Sequence, residues 1–257
     1  MNLLLDSGGC DEKRRGSLMH QSRLPRKLTD ELLDYLFADI STALAAELRA
    51  YCASSITVSP RFKTFATENR DKIRKKIREA GDRDRLRDLR LELDTAYHLL
   101  ADHHLTVAYE MHAATKLRTP DFTVAYTIKY TFHVEVKHLR GVGNDVRLAD
   151  AVCAKLGQLQ PAAINLVLVG VDSESDTALD TALALAALRN RAERKDDDYF
   201  QRRDFRDSHD FLRHFQRLSG VVCRTGWMQP DGGSSQLWVN LLARHPLPPE
   251  LRRILAR

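Results

Sequence analysis

Apolar residues return at every fourth position through Leu32, Leu36, Ile40, Leu44 and Leu48, the spacing of one buried helix face. Thr29, Asp30 and Glu31 offer a cap and an acidic first turn, so a helix is expected from residue 29 to about residue 52. Pro60 interrupts the pattern, and a charged helix is expected over 66–80. After Gly81 and Asp82, the stripe Leu86, Leu89, Leu93, Ala96 and Leu100 predicts a helix over 83–102. The period then changes to two. Val107 and Tyr109 alternate with polar neighbours in an expected strand over 104–115. Strands are expected over 121–128 and 130–137, where every second residue is apolar. A loop over 141–145 follows, with Asn144 or Asp145 as the cap of a helix to about residue 159 that turns Leu148, Val152, Leu156 and Leu159 inward. Pro161 ends that helix. The stretch 163–171 is nearly all apolar, as in a strand covered on both faces. Helices near 177–191 and 204–218 and strands near 221–224 and 236–242 complete the reading.

This pattern divides the chain into a flexible basic leader (1–27), a helical N-terminal region (28–80) and an α/β domain with a C-terminal extension (81–257). Apolar residues make up 43% of the 257, enough to bury a core, and no uncharged apolar run is long enough to cross a membrane. Leu3, Leu4 and Leu5 have no basic region before them and do not read as a secretory signal. Cys10, Cys52, Cys153 and Cys223 are scattered and form no CxxC pair, so neither a zinc site nor a disulfide framework is expected, and a reducing, cytoplasmic setting fits. The net charge of +5 is compatible with a polyanionic partner. Arg23, Arg26 and Lys27, with Lys72, Arg74, Lys75, Lys76 and Arg78, are candidates to contact phosphates. Arg189, Arg191, Arg194 and Lys195 precede Asp196, Asp197 and Asp198, which favours local pairing.

The two alternating strands carry the candidate chemistry. Phe122, Val124, Tyr126 and Ile128 share one face with Tyr130, Phe132, Val134 and Val136, if the strands pair as a hairpin. Asp121, Glu135 and Lys137 then gather on the other face, at the end away from the turn, and His133 lies on that face too. Two carboxylates so close repel unless a cation sits between them, and hard oxygen ligands suit magnesium. His103, His104, His112, His133 and His138 match no familiar zinc spacing, and no cysteine accompanies them.

Pro120-Asp121, thirteen residues, then Glu135-Val136-Lys137 resembles the motif of the PD-(D/E)XK, or restriction-endonuclease-like, superfamily. The order of elements over 83–172 is similar to the αβββαβ core of that family. The resemblance implies an α/β fold with a mixed central sheet and added N- and C-terminal helices. It implies a metal-dependent nuclease, with DNA the default substrate and Mg2+ (or Mn2+) the cofactor. Asp121, Glu135 and the backbone carbonyl of Val136 would hold the metal, and Lys137 would assist hydrolysis. Glu92, on the preceding helix at the border of its apolar stripe, would complete the site. Lys155, Gln158 and His133 are candidate substrate contacts, and the flanking helices would add substrate contacts or a homodimer interface. The same resemblance leaves room for a catalytically silent relative that binds nucleic acid or serves assembly. A third reading is an α/β protein whose strand pair only mimics the motif.

Overall fold

The computed structural model describes residues 23–256, apart from 39, 41–42, 111–118, 142–143, 173–178 and 229–232. The first four helices are α1 (Arg23–Phe37), α2 (Ala43–Val58), α3 (Pro60–Glu68) and α4 (Arg70–Glu79). Then come α5 (Arg83–Ala101), β1 (Leu105–Tyr109), β2 (Phe122–Tyr126), β3 (Tyr130–Leu139), α6 (Asp145–Leu156) and β4 (Ile164–Val171). The chain finishes with α7 (Thr181–Glu193), α8 (Asp197–Gln201), α9 (Ser208–Phe215), β5 (Gly220–Thr225), β6 (Ser234–Val239) and α10 (Pro249–Leu255). This is an α/β arrangement around one mixed, open, six-stranded sheet with ten helices among the described residues.

The sheet runs β1-β2-β3-β4-β5-β6. The first three strands are antiparallel, β3, β4 and β5 are mutually parallel, and β6 is antiparallel to β5. A parallel neighbour requires a crossover, and α6 makes the one between β3 and β4. Asn144 caps that helix by accepting from the Arg147 N–H at 2.9 Å.

Strand parity assigns the two faces. Phe132, Val134 and Val136 of β3, Leu166 and Leu168 of β4 and Val222 of β5 join a core with α1–α5 and Leu251 of α10. Leu139, Val167, Val169, Val171, Val221 and Cys223 join a second core with α6, α7 and α9. The expectation that 163–171 is covered on both faces holds, with Leu166 to Val171 all buried. No helix among the described residues is long and apolar enough to cross a membrane.

Several boundaries differ from the periodic reading. Helix α1 begins at Arg23, inside the stretch expected as a leader, while residues 1–22 lie outside the described residues. The single helix expected over 29–52 is two, α1 and α2. Pro60 opens a helix instead of only breaking one, because at the first helical position its missing N–H costs nothing, and the Ser59 hydroxyl accepts from Phe62 N–H. The charged helix is likewise split at Asn69. Helix α6 stops at Leu156, the segment near 204–218 is helical only over α9, and α10 was not expected. The hairpin between β2 and β3 has no glycine. Thr127 takes φ +50° there, with its N–H donating to the His104 carbonyl at 3.0 Å.

Candidate active site

Strands β2 and β3 pair with Phe122 opposite Val134. One step further along this register, Asp121 stands opposite Glu135, so both carboxylates project to the face covered by α6. The entry to β2 is fixed by two hydrogen bonds: the Glu110 N–H donates to the Asp121 carbonyl at 3.0 Å, and the Val136 N–H donates to Asp121 Oδ2 at 2.7 Å. The Asp121 side chain is thus tied to the strand that carries Glu135 and Lys137. Helix α6 adds Lys155 from its last turn. Its ammonium donates to Glu135 Oε2 at 2.9 Å, to Asp121 Oδ2 at 3.4 Å and to Gln158 Oε1 at 3.3 Å. Burial works against that charge, but Asp121 and Glu135 outweigh it and hold the Lys155 pKa above its ordinary value.

A cleft of about 210 Å3 opens where this cluster meets α5. Glu92, Asp121, Val136, Lys137 and Lys155 line it, and Asp88, His138 and Arg140 form the remaining wall. Lys137 is exposed and makes no ion pair among the described residues. Its two predecessors in the strand are buried, so the strand puts one exposed cation beside two buried residues.

Glu92 faces the same cleft but is held from the α5 side. Its Oε2 accepts from Lys76 Nζ at 2.6 Å and from the Tyr109 hydroxyl. Lys76 also pairs with Glu110 at 2.6 Å. Burial raises the Glu92 pKa, Lys76 lowers it, the nearby negative charge of Asp121 adds to the rise, and the net direction is upward. The expected grouping of Glu92 with Asp121 and Glu135 is therefore looser than a shared ligand set. Among the described residues, the group of His, Cys, Asp and Glu ligand atoms lying within 4.8 Å of one another is Asp102, His103 and His104. That group precedes Leu105, which pairs with Tyr126 at the hairpin-turn end of the sheet, whereas the cleft lies at the Tyr109–Phe122 end.

The donor set at Asp121 and Glu135 fits a hard divalent cation. Two carboxylate oxygens already converge on one positive atom, Lys155 Nζ, and both belong to adjacent, hydrogen-bonded backbone segments. Burial pushes the Cys52 and Cys153 thiols up to about 12 and Cys223 up to about 11, so all three stay protonated at neutral pH.

The other candidate residues fall in different places. Lys155 sits on the acid pair instead of facing outward as a substrate contact, and Gln158 is its neighbour. His133 shares the face of Glu135 but lies toward the hairpin turn, bonded to Thr123 Oγ1 at 3.1 Å, with burial lowering its pKa. Of the cations expected to meet phosphates, Lys72 donates to the Tyr109 and Glu110 carbonyls at 2.7 and 3.0 Å, and Lys76 is taken by Glu92 and Glu110. Arg74 lies 4.7 Å from the Tyr35 ring centroid. Lys75 and Arg78 are exposed, and Lys75 pairs with Glu79 at 3.8 Å. The side chains of Arg23, Arg26 and Lys27, and all of His112, lie outside the described residues. Local pairing of the basic run near α7 is present in Arg189–Glu193 and Arg191–Asp196.

One network escaped the periodic reading. His138 follows Lys137 and points to the opposite face, where Nδ1 meets Asp88 Oδ1 at 2.9 Å and Nε2 meets Asp172 Oδ1 at 2.7 Å. Arg140 also holds Asp88, at 2.9 Å, and Arg87 lies 3.4 Å from Asp172. The available signal was positional: Asp88 lies one turn before Glu92 on α5, and Asp172 directly follows the strand parallel to β3. No protein-family model, no curated protein and no solved structure matches the chain, so its class rests on the fold and this site.

Proposed function

We propose that the chain is a metal-dependent nuclease of the restriction-endonuclease-like kind, hydrolysing phosphodiester bonds, with DNA the default substrate. One observation carries the reading: Asp121 and Glu135 turn toward a single cation position at the wall of a cleft into which exposed Lys137 projects. The element order supports it, since α5, the antiparallel β1–β2–β3, α6 and the parallel β4 follow the αβββαβ sequence that the motif implies.

In this reading Asp121, Glu135 and the Val136 carbonyl hold magnesium or manganese. The ion would polarise the phosphate and lower the pKa of a bound water. The chain's own groups do the rest. As the water oxygen bonds to phosphorus it gives up a proton to solvent in the cleft, the bond to the leaving oxygen breaks, and the Lys137 ammonium, in no ion pair among the described residues, meets the negative charge that grows on the non-bridging oxygens. Glu92, whose pKa burial raises, is suited to hold a proton at the cleft wall, with Lys76 and Tyr109 fixing its orientation. Val136 anchors the strand in the core beside Phe132 and Val134.

A second reading, a silent nuclease fold that binds nucleic acid or an assembly partner, draws on one observation: Lys155 already neutralises part of the acid pair. Purified protein offered double-stranded, single-stranded and branched DNA with Mn2+ or Mg2+ separates the two. Cleavage that disappears in Glu135→Gln and Asp121→Asn supports the nuclease. No cleavage, together with no Mn2+ uptake that depends on Glu135, leaves the silent fold.

A further inference from the structure

We propose that Lys155 is a built-in counter-ion: its ammonium holds Asp121 and Glu135 together in the metal-free protein and must leave that position before a divalent ion binds there. The inference rests on the metal-site reading above. Both carboxylates are largely shielded, with side-chain exposures of 20% for Asp121 and 4% for Glu135, and the Lys155 side chain is 14% exposed. Two such anions on neighbouring strands repel when nothing positive lies between them.

Lys155 is delivered to that spot by a helix whose phase is pinned. Asn144 caps its start, and Leu148, Val152 and Leu156 are fully buried on its inner side. The ammonium stands 2.9 Å from Glu135 Oε2 and 3.4 Å from Asp121 Oδ2. A magnesium ion takes oxygens at about 2.1 Å and would draw the same two oxygens toward the same point. Two cations cannot share it, because their repulsion at such short range is not screened by water. Binding is therefore an exchange. Gln158 Oε1, 3.3 Å from the ammonium, gives the displaced lysine an acceptor outside the acid pair. Lys137 has no part in this exchange, being exposed and turned into the cleft.

The test compares wild type, Lys155→Met, Lys155→Gln and each of these with Glu135→Gln added, with Mn2+ alone as the probe and no nucleic acid present. Thermal melts in EDTA and calorimetric titration with Mn2+ are the readouts. Both Lys155 variants are expected to melt below wild type in EDTA and to gain more from saturating Mn2+, with Mn2+ affinity at least about tenfold tighter than wild type. Lys155→Gln keeps a donor for Glu135 and provides the same comparison should Lys155→Met not fold. Mn2+ affinity equal to or weaker than wild type in both variants, where wild type binds through Glu135, overturns the counter-ion. Absence of Glu135-dependent Mn2+ uptake from wild type and both Lys155 variants overturns the metal site itself.

Discussion

On one face of β3, two carboxylates share one lysine; on the other, one histidine shares two carboxylates. Asp121 and Glu135 pair with Lys155, and Asp121 and Lys155 line the cleft. Asp88 and Asp172 with His138 are balanced further by Arg140 and Arg87. The same strand supplies both, because Glu135 and His138 differ in parity. The first group is centred on one lysine of α6, whereas the second joins α5, β3 and the residue that follows β4. Both groups reach the same cleft, from opposite faces of one sheet.

The largest effect that separates them comes from the acid pair. Glu135→Gln or Asp121→Asn is expected to reduce metal-dependent cleavage by at least about a thousandfold, measured as initial rates on a defined DNA, with the circular-dichroism spectrum unchanged. Lys137→Ala is expected to lower kcat by about a hundredfold while Mn2+ affinity stays within twofold, because the exposed ammonium touches no ligand. A melting temperature that moved together with kcat in Lys137→Ala would count against a role confined to the reacting phosphate.

On the opposite face the expected loss is in stability. His138→Phe leaves Asp88 and Asp172 without the imidazolium between them. Severing a buried pair costs about 3–5 kcal/mol, and because the Asp88 side chain is 40% exposed the loss here is set at about 2 kcal/mol, read from denaturant melts. The pH dependence has a definite sign. Burial opposes the charged ring, yet the hydrogen bonds to Asp88 and Asp172 and their negative charge outweigh it and raise the His138 pKa. The clamp then contributes fully below the ordinary histidine value of about 6.5 and fades as pH rises through the higher folded value. The melting gap between wild type and His138→Phe should narrow toward alkaline pH; a gap that widens would show that the ring is held neutral.

The smallest expected effect sits behind both clusters. A Cβ at Gly170 would come 2.5 Å from Leu91 Cδ1, the end of a fully buried side chain that must shift, so Gly170→Ala should cost about 1 kcal/mol, the low end for overpacking. Chemical denaturation measures this directly.

Period-two alternation placed Phe122 to Tyr126 and Tyr130 to Val136 in neighbouring strands, and it put Asp121 and Glu135 on a common face, because side-chain direction in a strand depends on local geometry alone. Helix α5 was legible for the same reason, through Leu86, Leu89, Leu93 and Leu100. What stayed hidden depends on long-range contact. Lys155 pairs across 34 and 20 residues with Asp121 and Glu135, Lys76 reaches Glu92 over 16, and His138 meets Asp88 over 50. No periodicity encodes such partners. Breaks at Asn69 and between α1 and α2 were missed because the apolar stripe continues through them, so the packing pattern survives where the backbone turns. The hairpin was harder to read from its turn, since Thr127 adopts a conformation usually reserved for glycine or asparagine.

Helix α5 meets three different strands from successive positions. Asp88 reaches His138 of β3, Glu92 reaches Tyr109 of β1, and Asp94 reaches buried Arg224 of β5. The helix is in effect an indexing bar whose angular phase keeps three sheet positions in step. A single residue inserted near Leu91 would rotate everything beyond it by about 100° and leave Arg224 facing the wrong side chain. Length variation should consequently be tolerated just past α7, at exposed Arg194 and Lys195, and rejected inside α5, in a scan that reads soluble expression.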